Sequence, residues 1–384
     1  MPPGGLSHGR FARLPRREGR DVYDDVLRVA FDAGPLLDPP TGVGRYTREL
    51  GAALELCNVE IKRFAVALAG RSDAAVSRWR WPARVTRRAW RTFDWPPIER
   101  LVGDVDVVHA TNFVLPSLRR AEGVVTIHDL SFCRNDTWPG GARLRDLVPW
   151  SLERAAVVIV PTSAVAAEVA DRYGVSDKRL AVTHEGVSSV FFAARPLADE
   201  ALARLGISRP FAVAAGALEP RKNLPRLLQA WRRAADAFKG WTLVLAGPKG
   251  WGPNLPRTPG VVLTGWVGDE TLPGLLAAAE IFCYPSVYEG FGLPPLEAMA
   301  SGTATLVGSY PAAAEVLGDA ALLVNPYDVN EMAEGLSELA KDEARRARLA
   351  RLGRSHAVAY TWDATASATV RAYGRAVATR GSGD

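Results

Sequence analysis

From Val26 onward, short runs of β-branched and apolar residues alternate with stretches in which alanine and leucine recur at helical spacing. The runs predict strands over 26–32, 105–110, 124–129, 156–162 and 180–186, and helices over 45–54 and 163–174. The second helix carries its own signals, a serine at its start and Gly174 at its end. The stretch 187–209, with Arg195 and Pro196, breaks the rhythm and reads as a linker. A second series follows, with strands predicted over 211–217, 242–248, 261–265, 281–286, 303–308 and 321–326 and helices over 224–238 and 272–280. Near-continuous apolar strands separated by helices belong to parallel sheets covered on both faces.

The fold expected is therefore α/β, with two Rossmann-like domains facing each other across a cleft. Their expected limits are 26–195 and 206–358, preceded by a disordered basic tail over 1–25 and followed by a terminal helix and tail over 359–384. In such sheets ligands sit beyond the carboxyl ends of the strands, so strand-end residues carry the search for chemistry.

Composition narrows the class without deciding it. The 384 residues suffice for two cores, and no apolar run is long enough to span a membrane. The first residues hold arginines but no apolar stretch of a signal peptide, so a cytoplasmic protein is expected. Cys57, Cys133 and Cys283 are distant and odd in number, the pattern of buried reduced thiols. A net charge of +5 suits an acidic ligand or an anionic surface, yet no zinc-finger or RNA-binding motif accompanies it, so no nucleic-acid partner is expected.

The densest chemical signal is Glu289-Gly-Phe-Gly-Leu-Pro-Pro-Leu-Glu297, directly after a predicted strand. Gly290 and Gly292 let the backbone approach a ligand, and Pro294 and Pro295 suit a first helical turn whose free N–H groups favour an anion. Glu297 is expected in that first turn. Two carboxylates bracketing an anion-binding loop fit a ligand with hydroxyls at both ends and phosphate between them, the layout of a nucleotide sugar. After the first strand of the second half come Arg221 and Lys222, placed to neutralise a diphosphate.

These two stretches, in this order, resemble the retaining glycosyltransferases of family 4, which have the GT-B fold. The likeness continues through residues 297–308, 312–326 and 361–366, and in the first half through TGVGRYTREL (41–50), HATNFVLP (109–116) and TIHDLSF (126–132). It is closest in look to the mannosyltransferases of polysaccharide and glycolipid assembly. The resemblance implies roles residue by residue. Glu289 contacts the hydroxyls of the transferred sugar and Glu297 those of the ribose. Arg221 and Lys222 hold the diphosphate, helped by the amides of Phe291, Gly292 and Leu293. Gly42, Val43 and Gly44 form a first-domain loop over the phosphates, and His128 contacts the donor sugar near the reacting carbon. It also implies retention, GDP-mannose as donor, a glycan or lipid-linked acceptor, and no metal or other cofactor. Two departures stand out: Ala217 replaces the arginine of a common Gly-Arg pair, and His184-Glu185-Gly186 replaces the common Pro-Asn-Gly.

Some features imitate chemistry. Asp104-Val-Asp106 is a DxD pair, but at the start of a strand, the end away from ligands. Gly42-Val-Gly44 lacks the third glycine of a dinucleotide loop, since Thr47 stands there. The stretch 78–100 gathers Trp79, Trp81, Trp90 and Trp95 among arginines. It suits peripheral contact with the inner face of the membrane, and equally an insertion whose tryptophans pack on the domain. A nucleotide-sugar hydrolase or epimerase on the same frame, and a non-catalytic partner subunit, are the competing functions.

Overall fold

A computed structural model describes residues 26–37, 41–68, 76–134, 141–252 and 254–379. The basic tail and the last five residues lie outside these. The first sheet has seven strands: β1 (Leu27–Asp32), β2 (Val59–Val66), β3 (Ser77–Trp79), β4 (Val107–Ala110), β5 (Glu122–Thr126), β6 (Val157–Val160) and β7 (Leu180–Val182). The second has six: β8 (Phe211–Ala215), β9 (Thr242–Ala246), β10 (Val261–Gly265), β11 (Ile281–Tyr284), β12 (Ala304–Gly308) and β13 (Leu322–Val324). Spatial order is β3-β2-β1-β4-β5-β6-β7 in one and β10-β9-β8-β11-β12-β13 in the other. Neighbouring strands run parallel throughout, as in Val29↔Val107 and Ile281↔Ala212.

Both sheets reverse their direction of growth once, between β1 and β4 and between β8 and β11. Loops leaving two such neighbours diverge to opposite faces and leave a crevice at the carboxyl edge. The loops that carry Arg221-Lys222 and Glu289 leave β8 and β11, so the crevice of the second sheet lies between them.

Strands β2 and β3 are absent from the sequence reading. Glu60, Lys62 and Arg63 interrupt the apolar run of β2 because much of that strand is only half-buried, and β3 is a three-residue edge. The expected linker 187–209 holds two short helices, Ser189–Phe192 and Asp199–Arg204. Within 78–100, helix α2 (Ala83–Phe93) buries Thr86 and Trp90, and the Trp90 indole donates to the Pro96 carbonyl at 2.9 Å. Trp79 is half-buried on β3, whereas Trp81 and Trp95 are exposed. The four tryptophans thus divide between packing and surface. Cys283 is buried, and Cys57 and Cys133 are half-buried free thiols.

The largest apolar cluster spans both domains. It runs from Phe31 and Tyr46 through Trp362 and Tyr373 to Phe282 and Leu296. The C-terminal helix Trp362–Thr379 follows the second domain in the chain but packs on the first, against β4, β5, β6 and the helix Gly42–Glu55. Its Thr365 hydroxyl donates to the His184 carbonyl at 2.8 Å. Burial pushes the His109 imidazole down to about 3, so this core histidine is neutral, with Tyr373 and Thr126 each 2.8 Å from a ring nitrogen.

Candidate active site

Glycine chemistry explains the loop after β11. Gly292 has φ 104°, the left-handed region, and caps the helix Leu293–Ala300. A Cβ on Gly292 would overlap the Tyr310 hydroxyl, and one on Gly290 would overlap the His128 carbonyl oxygen. The second overlap shows how closely the loop after β11 approaches the first domain. Thr162 adds a cross-domain bond, its hydroxyl donating to the Gly290 carbonyl at 3.0 Å. Pro294 and Pro295 lie in the first helical turn, where missing N–H groups cost nothing, and the amides of that turn remain free of helical partners. Because the helix starts at Leu293, Glu297 is its fifth residue and lies in the second turn, one turn later than expected.

Buried Glu289 and Lys222 form one cluster with half-buried Arg221. Lys222 Nζ lies 2.7 Å from Glu289 Oε1 and also bonds the Tyr284 hydroxyl. Arg221 binds the other carboxylate oxygen, and its Nε bonds Glu219 at 3.0 Å. Glu289 is 7% exposed and Lys222 9%. Burial alone would raise the Glu289 carboxyl, but Arg221 and Lys222 outweigh it and hold the group at about 2. Burial, reinforced by Arg221 and opposed by Glu289, brings the Lys222 ammonium down to about 8. Arg221 is shifted the other way: burial would lower it, but Glu289 raises it further. Arg221 and Lys222 converge on Glu289, and Glu219 pairs the other side of Arg221, so two adjacent cations stand together at one strand end. A diphosphate is a ligand that such a pair of cations fits.

Glu297 is 2% exposed and is met from the other domain by Arg45, whose second terminal nitrogen bonds Asp269 at 3.1 Å. Arg48 joins the same Asp269 at 3.1 Å. Burial raises the Glu297 carboxyl and Arg45 draws it back only in part. Gly42, Val43 and Gly44 are the first turn of helix α1 (Gly42–Glu55), not a loop; Thr41 caps that turn, accepting from Gly44 N at 3.0 Å. It is therefore Arg45, one residue further along, that reaches the second domain.

His128 lies beyond the carboxyl end of β5, buried at the wall of the cleft. Its Nε2 is 2.9 Å from the Thr111 carbonyl oxygen and its Nδ1 is 3.4 Å from Glu185 Oε1. Tyr46 meets the ring edge-on at 4.7 Å between centroids. The structure thus gathers Arg221, Lys222, Glu289, Phe291, Gly292 and Leu293 in one crevice, with His128 opposite and Glu297 one helical turn away. Sequence reasoning missed Arg45 and left Glu185 only as a departure from a common pattern. Arg45 had a signal, since it follows the Gly42-Val-Gly44 stretch, but nothing local names Glu297 as its partner. Asp104 and Asp106 lie at the far end of the first sheet, where Asp106 accepts from the Arg28 amide at 3.0 Å and pairs with its guanidinium. Among the described residues no three His, Cys, Asp or Glu side chains are grouped to hold a metal.

Comparison with known proteins follows the same division into halves. Residues 40–191 match the family model described as Glycosyltransferase Family 4, and residues 209–342 the one described as Glycosyl transferases group 1. O-antigen chain mannosyltransferase B of Escherichia coli is 28% identical over 391 aligned positions, covering 90% of this chain and 99% of that protein. The MMP alpha-(1->4)-mannosyltransferase of Mycolicibacterium hassiacum is 43% identical over a shorter stretch, 29% of this chain and 28% of that one. Among solved structures, sucrose-phosphate synthase of Thermosynechococcus elongatus superposes with a TM-score of 0.69 at 21% identity, over 90% of this chain and 98% of that one. WaaG, a glycosyltransferase involved in lipopolysaccharide biosynthesis, does so with 0.67 at 16%, over 90% and 98%. These structural likenesses carry the GT-B fold alone.

Proposed function

The chain belongs to glycosyltransferase family 4, and from that premise we propose that it transfers mannose from GDP-mannose to a hydroxyl of a glycan or lipid-linked acceptor, with retention at the anomeric carbon. The observation that carries the donor reading is the Glu289–Arg221–Lys222 cluster at the β8/β11 crevice. Mannose is favoured by the near full-length likeness to an O-antigen mannosyltransferase. In this reading the diphosphate takes Arg221 and Lys222 from Glu289, and the freed carboxylate turns to the hydroxyls of the transferred sugar. Glu297 exchanges Arg45 for the ribose hydroxyls.

The reaction breaks the bond between the anomeric carbon and the diphosphate oxygen and forms one to the acceptor oxygen. The acceptor proton leaves with the nucleoside diphosphate or with solvent. Stabilising negative charge on the departing diphosphate is the largest task, and Arg221, Lys222 and the amides of Phe291, Gly292 and Leu293 are placed for it. Three sources of positive charge at one point support a reaction without a metal ion. His128 faces the sugar from the first domain, and closure of the cleft excludes water, favouring transfer over hydrolysis.

No helix among the described residues is long and apolar enough to cross a membrane. Trp81, Val85, Phe93 and Trp95 are exposed on or beside α2, with Arg84 and Arg88 exposed on the same short segment. That combination supports peripheral contact with an anionic membrane on the cytoplasmic side, where a lipid-linked acceptor would be met.

The test is a panel of GDP-, UDP- and ADP-sugars with and without acceptor. Thermal shifts rank the donors, since ~100 times the dissociation constant adds about 2.7 kcal/mol. Radiolabelled GDP-mannose should transfer label only when acceptor is present. Rapid turnover without acceptor would instead make the protein a hydrolase.

A further inference from the structure

We infer that Glu185 is a positioning residue for the transfer step: its carboxylate fixes the orientation of the His128 ring at the wall of the cleft. This rests on the reading of the site as a sugar-transfer centre, and it concerns a residue that the likeness to the family leaves without a role. The geometry is specific. His128 Nε2 is 2.9 Å from the Thr111 carbonyl oxygen, and Nδ1 is 3.4 Å from Glu185 Oε1. The Thr111 contact is a hydrogen bond to Nε2, and the Glu185 contact is an ion-pair approach to Nδ1 that the carboxylate can meet only as an acceptor. Without Glu185, Nδ1 would lose its carboxylate, and only the Thr111 carbonyl and the packed rings would hold the imidazole in place.

Every neighbour points the same way. Tyr46 from α1 packs edge-on against the ring at 4.7 Å, and Phe113 does so at 5.9 Å. His109, buried behind, is committed to Tyr373 and Thr126, and Asp129 accepts from the Ser131 amide at 2.8 Å. Glu185 is therefore the one carboxylate paired with the His128 ring among the described residues. Its own place is secured by backbone: Gly186 lies against Thr361 and Trp362, where a Cβ would overlap their main chain. The His128 carbonyl meanwhile abuts Gly290, next to the sugar-binding Glu289. A tilt of the ring would be felt at the reacting carbon, where misplacement by about 1 Å costs on the order of 100-fold in rate.

The experiment compares native protein, Glu185→Leu, Glu185→Asp, His128→Ala and the double variant His128→Ala/Glu185→Leu, each checked for folding by its melt. Turnover uses whichever nucleotide sugar the native protein accepts, so a wrong donor identity does not disturb the comparison. Glu185→Leu is expected to lower kcat by roughly 10–100-fold with the donor KM nearly unchanged, and Glu185→Asp to recover part of it. In the His128→Ala background the same change should cost less than about threefold, because the residue it acts through is gone. Equal losses in both backgrounds, or native kcat in Glu185→Leu, would overturn the inference. A readout independent of activity is the His128 ring N–H signal in proton–nitrogen spectra, assigned by its loss in His128→Ala. It should be present in native protein and displaced in Glu185→Leu; an unmoved signal counts against the inference even if the chain transfers no sugar.

Discussion

Lys222 offers the sharpest test of the cluster's electrostatics, through pH. Its ammonium is 9% exposed, 2.7 Å from Glu289, beside the Tyr284 hydroxyl and near Arg221. Burial first, then Arg221, bring it from an ordinary 10.5 to about 8, against the pull of Glu289. That difference corresponds to about 3 kcal/mol. The sign is opposite to that of a well-paired lysine. Below pH 8 the group is charged in folded and unfolded chains alike, and the folded state bears the whole cost. As pH rises from 8 to 10.5 the folded chain loses the proton first and the cost disappears. A bound diphosphate brings further negative charge beside the ammonium and restores the proton. Binding of the nucleoside diphosphate should therefore take up to one proton and weaken as pH rises above 8, by at most tenfold per pH unit. Glu289, held at about 2, and Arg221, raised further, keep their charges across this window and contribute no slope. Calorimetry from pH 7 to 9.5 in buffers of different ionisation enthalpy measures both the proton uptake and the affinity. Lys222→Arg should bind with a flat profile, since a guanidinium stays charged throughout, and Lys222→Ala should bind weakly with a flat profile. A flat profile in the native protein, or the same decline in Lys222→Arg, would refute the reasoning.

Glu297→Ala should weaken nucleoside diphosphate binding by about 1.5–3 kcal/mol, the worth of hydrogen bonds to a charged acceptor, while Glu289→Gln leaves it unchanged or tighter and impairs transfer; calorimetry with the diphosphate alone compares them. Arg45→Met strands the buried Glu297 without its cation and should destabilise the unliganded chain by about 3–5 kcal/mol, read as a fall in melting temperature. Activity should persist in EDTA; complete loss restored by magnesium or manganese would bring Asp104 and Asp106 back as ligands. Sedimentation with anionic vesicles should show binding that falls as salt rises and is lost when Trp81, Phe93, Trp95, Arg84 and Arg88 are replaced.

Much of this site was legible because its parts are local in sequence. A strand, a glycine-bearing loop and a proline-started helix are encoded within about a dozen residues, so the Glu289 loop and the Arg221-Lys222 turn could be placed at strand ends from periodicity and turn chemistry. The parallel α/β class followed from the same short-range pattern. What the pattern could not supply is pairing between distant segments. Arg45 and Glu297 are 252 positions apart and meet because two separately encoded domains face each other. Glu185 meets His128 because β7 and β5 lie either side of β6, an order set by sheet assembly. Strand β2 went unread because its half-buried position lets Glu60, Lys62 and Arg63 stand among apolar neighbours, so its hydrophobic signal is diluted. Trp90 and Trp95 are equally apolar in sequence, yet one packs inward and the other faces solvent. Local periodicity records which residues each element must bury, while tertiary packing decides what they are buried against. The sequence by itself therefore determined the elements and the loops that carry the charges; only the fold decided which charges meet.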